Sequence, residues 1–207
     1  MATRIRTSVI MGMAVAAAVT AGCSGTGSPA AERSAPAGSS SSGVAQDKAV
    51  PTESNPPGDI PDNQAYVAFH GSGFTVKVPE GWARTQRAGA TVFTDKLNTV
   101  RIETAAASAA PTVGSVTNTV VPRLRSQVPK FAAPRVSEVT RHAGRVVLLT
   151  YRGDSSKDPV TGKVVRDAFE RYAFQRSGHE VDLTLSGPAG ADNVDPWRTI
   201  SDSFAWR

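Results

Sequence analysis

Every aromatic residue of this 207-residue chain, three Trp, three Tyr and seven Phe, lies beyond Pro61. A packed core needs large apolar side chains, so only residues 61–207 can condense into a domain, and their number suits one domain around one core. Residues 24–60 are mostly Ser, Gly, Ala and Pro and carry no aromatic. Such a stretch cannot bury enough apolar surface to offset its ordering entropy. It reads as a disordered tether, with a coil reach of about 35 Å. The boundary is expected between 60 and 61.

Ahead of the tether stands the only cysteine, Cys23. Arg4 and Arg6 form a short basic start, and Val9 to Val19 is uncharged and mostly apolar. That run has the length of a signal-peptide hydrophobic region and is too short for the ~30 Å of a bilayer core. No later stretch holds 18 consecutive apolar residues. Ala21 and Gly22 then precede Cys23, a pattern that resembles the bacterial lipobox, with Thr20 standing where leucine is usual. The competing reading, an ordinary export signal that happens to contain a cysteine, leaves a free thiol in an oxidising compartment. A lipid anchor removes that liability. Residues 1–22 are therefore expected to be a lipoprotein signal peptide, with Cys23 the diacylglycerylated (palmitate-bearing) attachment point on the extracytoplasmic face of the cell membrane. Two acyl chains would hold the mature protein stably, where one would bind reversibly.

Period sets the elements of the domain. Tyr66 to His70 is a short strand closed by the turn Gly71-Ser72-Gly73; Phe74, Val76 and Val78 alternate in a second, ended by Pro79. A third is expected after Trp82, and Ala90–Thr94 with Asn98–Thr104 forms a hairpin around Asp95-Lys96-Leu97. Val113, Val116, Val120, Leu124 and Val128 recur at three- and four-residue steps, the stripe of an amphipathic helix. Pro122 inside it should kink or interrupt the helix by removing a hydrogen bond. Strands return at Arg135–His142 and at VVLLTY (146–151), which is apolar on both faces and so expected to be a central strand covered on both sides. Val164–Arg176 and the alternation Val181, Leu183, Leu185 supply two more. Asp195-Pro196 reads as cap and first residue of a last helix, with Trp197, Ile200 and Phe204 on one face. The order implies an α+β fold, an antiparallel β-sheet packed with helices.

The stretches GFTVKVPEGWARTQ (73–86), TVFTDKLNTVRIE (91–103) and DPWRTISDSFAW (195–206) resemble the PsbP-like superfamily. This group includes the PsbP and Mog-type proteins and the LpqN-type lipoproteins of high-GC Gram-positive bacteria. The resemblance runs over roughly residues 64–206. It implies an α-β-α sandwich used as a binding or assembly module, with no common catalytic motif and no cofactor, so no residue here inherits a catalytic role.

Candidate chemistry is sparse. Asp154, Ser156 and Asp158 alternate before Thr161-Gly162 in the manner of an oxygen-ligand calcium loop, but Lys157 sits among them and Val165 occupies the twelfth position. Asp, Ser, Pro and Gly are also ordinary turn residues, and no metal is expected. His70, His142 and His179 are scattered, without zinc spacing. There is no G-x-S-x-G elbow, and the RGD at 152–154 is too short to mean anything. Trp82 and Trp197 could line a groove, although packing is the commoner use. Residues 61–207 carry 19 Lys and Arg against 14 Asp and Glu, dispersed singly, which argues against nucleic-acid binding. Two functions remain: a noncatalytic domain binding an envelope protein partner, or a carrier of a small apolar ligand between sheet and kinked helix.

Overall fold

The computed structural model describes residues 56–158 and 160–207. The expected signal segment, Cys23 and the tether up to residue 55 lie outside the described residues.

Among the described residues, ten strands form two antiparallel sheets. The larger has seven, in the order β3-β4-β5-β9-β8-β7-β6; the smaller is β1-β2-β10. The strands are β1 (Tyr66–Gly71), β2 (Phe74–Pro79), β3 (Ala83–Arg87), β4 (Ala90–Asp95), β5 (Asn98–Ala106), β6 (Ala132–Arg141), β7 (Gly144–Asp154), β8 (Arg166–Arg176), β9 (His179–Pro188) and β10 (Ala205–Trp206). Between β5 and β6 runs a helical segment of three parts: α1 (Val113–Ser115), a π-helical turn (Val116–Val120) and α2 (Val121–Gln127); α3 (Val194–Asp202) follows β9. The fold is α+β and antiparallel.

Two apolar layers hold it. On the inner face of the large sheet, Phe93, Val100, Ile102, Val146, Leu148, Tyr172, Phe174, Val181, Leu183 and Leu185 meet Phe74, Val76 and Val78 of β2 and Trp197 and Ile200 of α3. On the outer face, Val147, Leu149 and Tyr151 of β7 pack under Val116 and Val121. β7 is thus apolar on both faces because both are covered, as its sequence requires. Covered does not mean central: it lies second from the edge, with β6 outside it.

The helical segment starts on a reciprocal cap. Thr112 Oγ1 accepts from the Ser115 backbone N–H at 3.0 Å, and Ser115 Oγ accepts from the Thr112 backbone N–H at 2.9 Å. Pro122 does not break it. It falls in the first turn of α2, immediately after the π turn, in which the Val121 N–H reaches back to the Val116 carbonyl. The wider turn absorbs the missing donor and relieves the ring's clash with the preceding turn. It also adds a residue to the period. Val121 takes a buried place beside Val116, while Val113, expected on the apolar stripe, is exposed.

Three expectations change at the ends. Residues 58–60, assigned to the tether, belong to the domain: Ile60 is 4% exposed in the inner core. Asp195 does not cap α3. The helix begins at Val194 with Asn193 at the cap position, and Asn193 uses its amide elsewhere. Its Oδ1 accepts from Ile60 N–H at 2.8 Å, and its Nδ2 donates to Gly58 O at 3.0 Å and Asn98 Oδ1 at 3.1 Å. Asn98 Nδ2 also donates to Gly58 O at 2.9 Å. Gly187 is the floor of this knot, since a Cβ there would lie 2.2 Å from Asn98 Oδ1. Phe204, finally, is not on α3, which stops at Asp202. The chain turns into β10 and pairs with β2, and Phe204 stacks between Phe74 and Phe174, with ring centroids 5.3 and 3.9 Å away.

α3 is fixed to the sheet by Arg141. Its Nε donates to Ser201 Oγ at 2.9 Å and its second terminal nitrogen to the Tyr172 hydroxyl at 2.9 Å, while that hydroxyl donates to Glu170 at 2.6 Å. Burial, then the Glu170 carboxylate, pushes the Tyr172 phenol up to about 12.

Candidate functional site

The residues singled out by sequence do not converge. Asp154 ends β7 and accepts from Lys130 at 3.0 Å and from Arg166 at 3.3 Å; Lys130 first, then Arg166, holds its carboxyl below the ordinary value. Asp158 closes its own turn, its Oδ1 accepting from the Thr161 N–H at 2.6 Å, the Thr161 hydroxyl at 2.8 Å and the Val160 N–H at 3.0 Å. Ser156 is exposed between them. Among the described residues no three His, Cys, Asp or Glu side chains gather as a metal site would need. His70, His142 and His179 are exposed at three hairpin ends. The RGD lies in strand β7, with Gly153 pressed against Val128. Trp82 packs on the inner core and Trp197 belongs to it.

What the fold does assemble is a row of charges on the outer face of the large sheet. Alternation puts Arg101 and Glu103 of β5, Glu180 and Asp182 of β9, and Arg171 of β8 on the face opposite Val100, Ile102, Val181, Leu183 and Tyr172. Register aligns them: Glu103 opposes Asp182, Arg101 opposes Thr184, and Thr184 opposes Arg171. Arg101 donates to Glu103 at 2.8 Å, and this hydrogen bond is the main reason the Glu103 carboxyl sits low. Arg171, with its side chain 5% exposed, donates to Asp182 and lies 4.0 Å from Glu180. Two guanidiniums therefore serve three carboxylates, and the surplus negative charge falls on the most buried. Burial, reinforced by Glu180 and Glu103 and opposed by Arg171, raises the Asp182 carboxyl well above its ordinary value. Asp182 Oδ1 has no hydrogen-bond partner among the described residues. The helical segment's apolar side chains pack on the β6–β8 side of the face, against Val136, Val147, Leu149, Tyr151 and Phe169. Apart from the buried Arg171 of β8, the charge row and the threonines Thr94, Thr99 and Thr184 occupy the adjoining β4-β5-β9 side, half-buried.

Sequence reading does not bring these charges together, because the pairing of β5 with β9 joins segments about eighty residues apart. Only the matched charge alternation in the two strands hinted at it.

The helix–sheet interface, where the alternative reading placed an apolar ligand, is occupied by the outer core. A cleft of about 260 Å³ opens beside Pro111, Thr112 and the Glu138–Arg145 pair, and another of about 300 Å³ on the inner face next to Trp197. None of the described helices is long and apolar enough to cross a membrane.

No family model matches the chain, and no curated protein does. Among solved structures, the cyanobacterial PsbP protein (CyanoP) of Synechocystis is 15% identical over 70% of this chain and 94% of that one, with a TM-score of 0.51. LpqN of Mycobacterium tuberculosis, described as involved in cell envelope biogenesis, is 15% identical over 70% of this chain and 91% of that one, at 0.43. A Bacteroides thetaiotaomicron structure is 11% identical over 65% of this chain, which spans only 45% of it, also at 0.43. The fold is PsbP-like.

Proposed function

We propose that this protein is a lipid-anchored lipoprotein of the envelope whose PsbP-like domain works by binding a protein partner rather than by catalysis. The observation that carries the reading is the outer charge row. It is of mixed sign and, apart from the buried Arg171, half-buried; Asp182 Oδ1 has no hydrogen-bond partner among the described residues, and the row adjoins the helical segment on one sheet face. A surface of fixed ion pairs suits docking, because complementary charges set register and exclude wrong partners. The same pairing argues against an active site: Arg171 and Arg101 are engaged by carboxylates, and no nucleophile with a base and an orienting group is assembled among the described residues. The PsbP-like fold fits this use, and the sequence around Cys23 supplies the membrane location. The extracytoplasmic membrane face is part of the proposal.

The filled helix–sheet interface counts against the carrier reading. The test is co-purification from detergent-solubilised membranes of the native host. Wild-type protein should bring down a discrete envelope protein that Thr184→Arg, which adds a bulky charge to the row, fails to retain. A partner list identical for the two would remove the row from the account.

A further inference from the structure

The inner-face cleft beside α3 has a composition that core packing does not explain. It occupies about 300 Å³ and is lined by Arg135, Thr150, Arg152, Ala168, Glu170 and Trp197. Register places them as a grid across three strands: Arg135 opposes Thr150, Thr150 opposes Glu170, and Arg152 opposes Ala168. Arg135 and Arg152 are thus diagonal neighbours with backbones about 7–8 Å apart, within reach of one shared group for such long side chains. Neither guanidinium is in an ion pair among the described residues; Arg84, Arg87 and Arg176 are unpaired too, but only Arg135 and Arg152 line this cleft together, with a carboxylate beside them. Glu170 accepts the Tyr172 hydroxyl through Oε2, and Oε1 carries no hydrogen bond among the described residues.

The backbone at the rim is unusual as well. β6 carries a bulge between Ala132 and Arg135, and Ala133 sits at φ +51°, a left-handed conformation that costs an alanine energy. Bulges re-aim side chains, and strained backbone concentrates at binding sites. Here the bulge immediately precedes Arg135.

We propose that this cleft binds a phosphorylated polyol. Arg135 and Arg152 grip the phosphate, a neighbouring hydroxyl donates to Glu170, and the carbon chain lies along Trp197 and Ala168. A phosphate suits two guanidinium forks better than a single carboxylate: its free oxygens, three in a monoester and two in a diester, are arranged tetrahedrally and accept from both forks, and a monoester adds close to a second negative charge. An apolar ligand would desolvate both arginines without compensation. The site lies on the sheet face opposite the charge row, so it stands or falls separately from the partner-binding reading.

The phosphate could come from a free polyol phosphate or from a phospholipid headgroup, and the probes separate the two. Calorimetric titration of the full chain in detergent with sn-glycerol 3-phosphate should show saturable binding. Arg135→Ala and Arg152→Ala should each weaken it tenfold or more, while the corresponding Lys variants should fall between, keeping the charge without the fork. Glu170→Gln should cut the preference for glycerol 3-phosphate over inorganic phosphate several-fold and leave phosphate binding in place. Co-sedimentation of the unlipidated Cys23→Ala chain with phosphatidylglycerol vesicles, but not phosphatidylcholine vesicles, lost in both Ala variants, would assign the headgroup as source. Soluble binding alone would assign the free compound. Absence of binding to both probes, or affinities unchanged in both correctly folded Ala variants, overturns the proposal.

Discussion

Asn193→Ala should be among the most damaging single substitutions in the domain, although Asn193 lies in a loop-to-helix junction and touches no site. The residue is 3% exposed and its side chain makes three hydrogen bonds, to the Ile60 N–H, Gly58 O and Asn98 Oδ1. Alanine leaves the Ile60 N–H and Asn98 Oδ1 short of a partner, while Gly58 O keeps its bond from Asn98 Nδ2. Each buried group left unsatisfied costs about 1–3 kcal/mol, so a loss of about 2–4 kcal/mol is expected once some water entry is allowed for. If residues 58–60 then detach, Ile60 leaves the core, and exposing that side chain adds about 2 kcal/mol. Urea denaturation of the full chain should show the midpoint falling with the slope little changed. Because Asn98 and Asn193 share one network, Asn98→Ala combined with Asn193→Ala should cost at least 1 kcal/mol less than the sum of the two. A loss for Asn193→Ala within about 0.5 kcal/mol of zero, the range of an ordinary surface change, would refute the reasoning. Strict additivity of the pair would refute it too.

Cys23→Ala should abolish incorporation of radiolabelled palmitate and release the chain from membranes or leave its precursor uncut; a variant processed and retained as the wild type is would remove the anchor. A fragment spanning 56–207 should melt cooperatively and clearly above one spanning 61–207, since only the first keeps Ile60 and the carbonyl of Gly58; equal melting temperatures would restore the boundary to 61. Asp167 is buried, its Oδ1 has no hydrogen-bond partner among the described residues, and burial first, with nearby Asp154 second, raises its carboxyl from 3.8 to about 6. A raised folded-state value means the stabilising contribution is complete below the unfolded value near 4 and is lost as pH rises through about 6. Asp167→Asn should therefore gain on wild type between pH 4 and 7, by about 1–2 kcal/mol after discounting for solvent screening; a gap independent of pH would show that Asp167 ionises normally.

The parts of this fold legible in sequence were those encoded locally. Alternation at Phe74–Val78, Val100–Ile102 and Val181–Leu185 marked strands and their core faces, and VVLLTY announced a strand buried on both sides. Features that depend on distant partners were not legible. Residues 58–60 read as tether because Gly-Asp-Ile after two prolines has no periodicity, and only contact with Asn98 and Asn193 reveals their place. Asp195-Pro196 carries a cap signature, yet the helix starts two residues earlier, with Asn193 at the cap position and its side chain held by tertiary partners. The π turn before Pro122 is a local answer to a local conflict, but no pattern distinguishes it from a break. Phe204 matched the helical stripe of α3 until the pairing of Ala205 and Trp206 with β2 drew it out into the aromatic stack. The charge row stayed hidden because β5 meets the β8–β9 hairpin only through the register of the sheet.

The central claim, that the domain docks a partner through its outer face while anchored in the membrane, is tested most directly by photo-crosslinking in the native host. A photoreactive residue replacing Thr184, within the charge row, should yield one discrete crosslinked product in the membrane fraction, and the same residue replacing the exposed Lys77 of β2 should not. Crosslinks from Lys77 alone, or none from either position with the protein correctly localised, would contradict it.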